Sequence, residues 1–267
     1  MPLTVCATPI GNLDDVTLRV LTELREADVV LAEDTRHTRG LLRRHGIDAR
    51  LVSFHEHNEA ARARELVERM RSGLGVALVS DAGTPLVSDP GFALVRAALA
   101  AELAVEVLPG PSATLTALVA SGLPVERFRF VGFLPRRGAE LERVLRDAPE
   151  TLVAFESPGR LAATLGVLTR LDAARPVVVC RELTKLHEEV RRGSAAELEA
   201  HYAEHPPRGE IVRVVGASPP ERGGREVALA ALRALVAAGA RARPAAKAIA
   251  GLTGIGANEL YRELSGS

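Results

Sequence analysis

Val76-Ala77-Leu78-Val79-Ser80-Asp81-Ala82-Gly83-Thr84-Pro85-Leu86-Val87-Ser88-Asp89-Pro90 decides how the chain is read. Val76 to Val79 is a short unbroken apolar run, the pattern of a strand buried on both faces. Ser80 to Pro85 ends it with small and turn-forming residues, and Asp89-Pro90 supplies a cap and a first-turn proline for a helix. The unit is strand, tight loop, helix. In an open α/β sheet the ligand sits outside the carboxyl ends of the strands, which is where Asp81 to Pro85 would fall. One such loop reads equally well as a polar turn, so the weight lies in its repetition.

The pattern recurs on both sides of this stretch. Leu3 to Ala7, Asp28 to Ala32, Leu51 to Phe54 and Val105 to Leu108 are further strand candidates, each closed by a polar or Gly/Pro loop. Helical apolar spacing, as at Val16, Val20 and Leu24, fills the intervals. Residues 1–112 are therefore expected to form a parallel, doubly wound α/β domain with its loops on one edge. After a helix from Ala113 to Ser121, Phe128 to Gly132, Thr151 to Phe155, Val177 to Cys180 and Ile211 to Val215 suggest a second α/β domain over 113–217 that repeats the first design. Ser218 to Gly224 has linker composition, and 218–267 is read as an Ala-rich helical tail. Its two short helices about Gly251 to Gly256 resemble a helix-turn-helix, with Arg241, Arg243 and Lys247 adding charge.

Composition narrows the function. The 34 basic residues balance the 34 acidic ones, which argues against coating nucleic acid through bulk charge but leaves room for local basic patches. Trp is absent and aromatics make up 3%, so a base-stacking platform for single-stranded nucleic acid is not expected. Cys6 and Cys180 each lie in an apolar run, outside any metal-ligand spacing or disulfide framework. His55-x-His57 with Glu59 offers no closed ligand set, and no metal is expected. No apolar run reaches membrane-spanning length and no secretory leader is visible, so the expectation is a soluble cytoplasmic protein. A phosphate-binding G-x-x-x-x-G-K-[ST] loop and a G-x-S-x-G elbow are both missing.

Together, Thr8-Pro9-Ile10-Gly11-Asn12, Glu33 to Thr38, His55 to Glu59, Ser80 to Pro85, Asp89-Pro90-Gly91, Pro109 to Ala113, Gly132-Phe133-Leu134-Pro135 and Arg181 to Lys185 resemble the 16S rRNA 2′-O-methyltransferases of the tetrapyrrole methylase superfamily. The likeness runs from the first strand to about Val215, and more loosely through the tail. One loop departs from that pattern. Where the family shows Glu-Ser-Thr or Glu-Ala-Pro followed by His-Arg, this chain has Glu156-Ser157-Pro158-Gly159-Arg160.

The resemblance implies two α/β domains with S-adenosylmethionine in the cleft between them, a homodimer, and methylation of a cytidine ribose in the decoding region of 16S rRNA, free or in the small subunit. It assigns the cofactor to Ile10, Gly11, Asp81, Ala82, Gly83, Thr84, Ser112, Ala113, Phe155, Glu156, Cys180, Gly209 and Glu210. Lys185, Asp34 and Glu182 are the candidates for handling the hydroxyl proton, because a ribose hydroxyl is a poor acid. Arg36, His57, Arg136, Arg137, Arg160 and Arg181 are the candidates for RNA. The rival readings are a small-molecule methylase acting on a corrin precursor, and a non-enzymatic RNA-binding or assembly protein.

Overall fold

The computed structural model of the chain describes residues 2–218 and 222–265. Contacts divide it into two compact units, Met1–Arg146 with Glu150–Gly216, and Asp147–Pro149 with Ala217–Ser267. The first unit holds both sheets.

Its first sheet is made of β1 (Leu3–Cys6), β2 (Val29–Ala32), β3 (Leu51–Ser53), β4 (Val76–Val79) and β5 (Val105–Leu108), in the order β3-β2-β4-β1-β5. Every pairing is parallel. The crossovers are α1 (Leu18–Glu26), α2 (Thr35–Arg44), α3 (Glu56–Arg71) and α4 (Phe92–Ala100). Period-two alternation splits the strands between two cores. Leu3, Val5, Leu31, Val76 and Leu78 pack on one face with Leu66, Met70 and Leu94 from α3 and α4. Cys6, Val30, Ala77 and Val79 pack on the other with Val20, Leu24 and Leu41 from α1 and α2. Helices therefore cover both faces, and the loops after β1, β4 and β5 emerge side by side, because those strands are neighbours.

Three boundaries differ from the sequence reading. A 3₁₀ turn at Leu13–Asp15 precedes α1, which is capped by the Thr17 hydroxyl. Helix α9 (Arg222–Ala237) starts within the expected linker. Helix α4 begins only after Gly91, whose φ of +130° makes it the cap in place of Asp89. An added Cβ there would sit 2.7 Å from Leu78 Cδ2, so the chain turns where only glycine fits. This delayed start leaves Asp89 outside the helix.

After α5 (Ala113–Ser121) comes a second sheet of β6 (Phe128–Phe133), β7 (Thr151–Glu156), β8 (Pro176–Arg181), β9 (Glu189–Ser194) and β10 (Ile211–Val215), in the order β6-β7-β10-β8-β9. It does not repeat the first design. Only β6 and β7 are parallel; β10 runs antiparallel to both β7 and β8, and β8 and β9 form an antiparallel pair. Strand β9, Glu-Val-Arg-Arg-Gly-Ser, has no apolar run to announce it, since it is a charged edge strand. Because β10 is reversed, it brings the residues before it, Gly209 and Glu210, to the edge where β7 and β8 end. Helices α6 (Gly138–Arg146), α7 (Leu161–Leu171) and α8 (Ala195–Glu204) complete this half.

The second unit packs α9, α10 (Ala242–Thr253) and α11 (Ala257–Ser265) around Leu232, Ala246, Ile249 and Leu260. Gly254, at φ +73°, closes α10 before the turn into α11. Arg225 of α9 pairs with both Glu259 and Glu263 of α11.

Candidate active site

A cavity of about 450 Å³ opens where the loops of the two sheets meet. On the first-sheet side its wall is built by backbone bonds between loops. Thr8 N–H donates to Gly83 O at 2.8 Å, Gly83 N–H returns the bond to Thr8 O at 3.0 Å, and the Thr8 hydroxyl donates to Ser80 O at 3.0 Å. The loops after β1 and β4 are thus stapled together. Asp81 Oδ1 accepts the Asp34 backbone N–H at 2.9 Å, which adds the loop after β2. Ser112 caps α5 and, with Ala113, lines the cavity from the loop after β5.

On the second-sheet side, Phe155 and Glu156 close β7, Cys180 lies near the end of β8, and Gly209 to Val212 enter β10. Here Glu182 and Thr184 hold φ of +50° and +66°, conformations that cost side-chain-bearing residues energy. The strain is held by a clasp. Glu182 Oε1 accepts the Glu210 N–H at 2.8 Å, and Lys185 Nζ donates to Glu182 Oε1 and Glu210 Oε2, each at 2.9 Å. Gly209 makes this possible: at φ +86°, its absent Cβ would lie 2.4 Å from Glu182 Cδ.

Every residue that the resemblance assigned to the cofactor lines this cavity except Gly11. Gly11 instead allows a close approach beneath the clasp, where a Cβ would meet Lys185 Cγ at 2.4 Å. Burial pushes the Cys180 thiol up to about 11, so it stays protonated and acts as a small apolar wall residue. Gly159 stands where the family pattern has His, and a Cβ added there would meet nothing within 4 Å, so the departure leaves open space.

The three candidates for proton handling are placed differently from an acceptor poised near neutral pH. Partial burial would lower Lys185, but its hydrogen bonds to Glu210 and Glu182 outweigh that and raise it, so it is an ammonium. Asp34 is lowered by its hydrogen bonds to the Arg36 side chain and backbone. Glu182 is lowered by the Glu210 N–H and then by Lys185. Asp89 is the contrasting group. Burial first, and then repulsion from Glu33, raise it to about 7, with Asp81 adding repulsion against a lowering hydrogen bond from Ser80. Glu33, Asp81 and Asp89 all line the cavity. In the sequence Asp89 stood only as a helix cap and within the Asp89-Pro90-Gly91 motif, and neither marks it as a cavity residue.

Among the RNA candidates, Arg136 and Arg137 are exposed between β6 and α6. Arg36 is exposed and paired with Asp34 at 2.7 Å. Arg160 donates to Leu134 O at 3.0 Å and Pro135 O at 2.6 Å, and Arg181 bonds Glu189 at 3.1 Å; both brace loops of the protein itself. The side chain of His57 lies outside the described residues. No group of three or more His, Cys, Asp or Glu that would hold a metal occurs among the described residues, and no helix among them is long and apolar enough to cross a membrane.

The comparisons with known proteins agree with this architecture. Residues 2–199 match the family model of the tetrapyrrole (corrin/porphyrin) methylases. A ribosomal RNA small subunit methyltransferase I from Mesorhizobium japonicum is 47% identical, over 98% of this chain and 90% of that protein. Its counterpart from Micromonospora olivasterospora is 46% identical, over 96% of this chain and 84% of that one. Among solved structures, the uroporphyrin-III-C-methyltransferase from Thermus thermophilus matches with a TM-score of 0.56 and 26% identity, over 80% of this chain and 93% of that one.

Proposed function

The chain belongs to the tetrapyrrole (corrin/porphyrin) methylase family and is an S-adenosylmethionine-dependent rRNA methyltransferase, and from this premise we propose that it methylates the 2′-hydroxyl of a cytidine in the decoding region of 16S rRNA. The observation that carries the reading is one cavity that gathers the cofactor candidates of both sheets beside a carboxyl group raised to about 7. Ile10, Phe155 and Val212 give it apolar walls, and Glu33, Asp81 and Asp89 give it acidic ones. That donor set fits a ligand with an apolar purine body and positive charge. Bound there, S-adenosylmethionine supplies an electrophilic methyl group on a sulfonium centre.

The protein's own part is to position and to move a proton. The stapled loops and the clasp fix the walls, so that a nucleophile can be held in line; ideal positioning is worth about 7–11 kcal/mol. Asp89 accepts the ribose hydroxyl proton on its carboxylate, in place of Lys185, Asp34 and Glu182, whose charged forms are each stabilised by bonded partners. Lys185 stays an ammonium within the clasp, and Arg36, Arg136 and Arg137, which are exposed, meet the RNA phosphates. We assign 1–112 and 113–217 as the two lobes and 218–267 as the tail, with a homodimer acting on free rRNA or the small subunit in the cytoplasm.

Methyl transfer from radiolabelled S-adenosylmethionine to purified small subunits, naked 16S rRNA and a tetrapyrrole, run in parallel, tests the reading. Label in RNA at a linkage that resists alkaline hydrolysis supports it. Label in a base, or only in the tetrapyrrole, rejects it. Two variants probe the parts. Asp81→Ala removes the acceptor that joins two cavity loops, and calorimetry is expected to show cofactor affinity lowered about 10- to 100-fold with folding retained. Lys185→Met removes the cation that joins Glu182 and Glu210, and is expected to loosen this wall of the cavity and so weaken calorimetric cofactor binding and lower the single-turnover rate.

A further inference from the structure

Phe133 is 60% exposed and yet lines the cavity. Strand β6 reaches this arrangement through a bulge. Phe130 pairs with Val153 and Phe133 with Phe155, so three steps along β6 match two along β7. In an unbroken ladder Gly132 would stand opposite Phe155, and Phe133 would point to the other face, because side chains alternate. The extra residue, with Gly132 at φ +62°, turns Phe133 onto the cavity face beside Phe155. Bulges next to active sites serve to re-aim side chains in this way.

We infer that Phe133 is the platform on which the nucleobase of the target nucleotide stacks. The inference rests on the RNA-methylating reading and adds the substrate subsite to it. A ribose inside a folded RNA cannot enter a cavity of this kind while its base remains stacked, so the nucleotide is drawn out and its base needs a new apolar partner. Phe133 meets Phe155 edge-on, with centroids 5.5 Å apart and planes at 61°, and its exposure leaves ring surface open. The platform is rigid, because Arg160 holds Leu134 O and Pro135 O immediately after it. Arg136 and Arg137 follow on the same loop, both exposed, within reach of flanking phosphates. An aromatic ring with adjoining cations is the composition by which single-stranded nucleic acid is held.

The chain has no Trp, so Phe133→Trp creates a single fluorescent reporter in the full-length protein. Its emission is expected to be quenched by a 16S rRNA fragment spanning the decoding region and unchanged by S-adenosylmethionine alone. Phe133→Ala is expected to lower affinity for that fragment about 5- to 150-fold, with Phe133→Trp restoring it and calorimetric cofactor affinity unchanged in both. Quenching by S-adenosylmethionine that RNA does not add to, or RNA affinity indifferent to Phe133→Ala, overturns the inference. A wild-type protein that binds RNA through Phe133 but transfers no methyl group to it would instead reject the proposed reaction and leave the subsite standing.

Discussion

Replacing Asp89 by Asn is expected to lower the single-turnover rate of methyl transfer about 10²- to 10⁴-fold at neutral pH and saturating RNA, the usual worth of a positioned proton acceptor. The wild-type rate should rise with pH through an ionisation near 7, since the carboxylate is the active form and Asp89 sits at about 7. That ionisation should vanish from the Asp89→Asn profile. The residue lines the cavity with Glu33 and Asp81 and accepts a bond from Ser80, so the shift has identifiable sources. A variant with unchanged rate and profile would remove Asp89 from the chemistry.

The same substitution has a stability consequence of opposite sign. Asp89 is raised from 3.8 to about 7 by folding, so between these values the folded chain holds a proton that the unfolded chain has lost. Stability then falls as pH rises through this window and levels off once the group is ionised in both states. Asp89→Asn lacks that decline. It should be no less stable than wild type below pH 4 and more stable at pH 8, as read by urea unfolding. Loss of rate with gain of stability separates a working carboxylate from a structural one.

Much of the first sheet was legible in the sequence because its central strands β1, β2 and β4 are buried on both faces, and unbroken runs such as Val76 to Val79 mark such strands well. The loops at their ends were legible for the same reason, since the runs stop sharply. The second sheet was harder to read. Its strands Thr151–Glu156 and Ile211–Val215 are equally apolar, but direction leaves no trace in a run of apolar residues, and the expected parallel repeat is instead mixed. Edge strand β9 escaped because one charged hairpin arm resembles a loop. Within the site, the contributions of Asp89 and Phe133 depend on a cap displaced to a glycine and a ladder displaced by one bulge. Neither displacement alters the local composition by which caps and strands are recognised.

Glu156→Ala is expected to destabilise the fold, because it removes a buried carboxylate whose field supports a fully buried cation. Arg213, in the middle of β10, is fully buried. Its Nη1 donates to Thr164 Oγ1 at 2.9 Å, whereas Nε and Nη2 have no hydrogen-bond partner among the described residues. Burial pulls its ionisation down to about 10 despite the opposing field of Glu156, so removing that field deepens an existing penalty. Glu156 Oε1 accepts the Ser157 N–H at 2.9 Å and lies 3.8 Å from Arg160 Nη1, while its Oε2 has no hydrogen-bond partner among the described residues. The loss should therefore appear as a lower urea midpoint with an unchanged slope. Pairing Glu156→Gln with Arg213→Met removes both charges at similar volume, and this double variant should recover most of the stability lost in Glu156→Ala. If the double variant is as unstable as Glu156→Ala, the uncompensated charge is not the source of the loss.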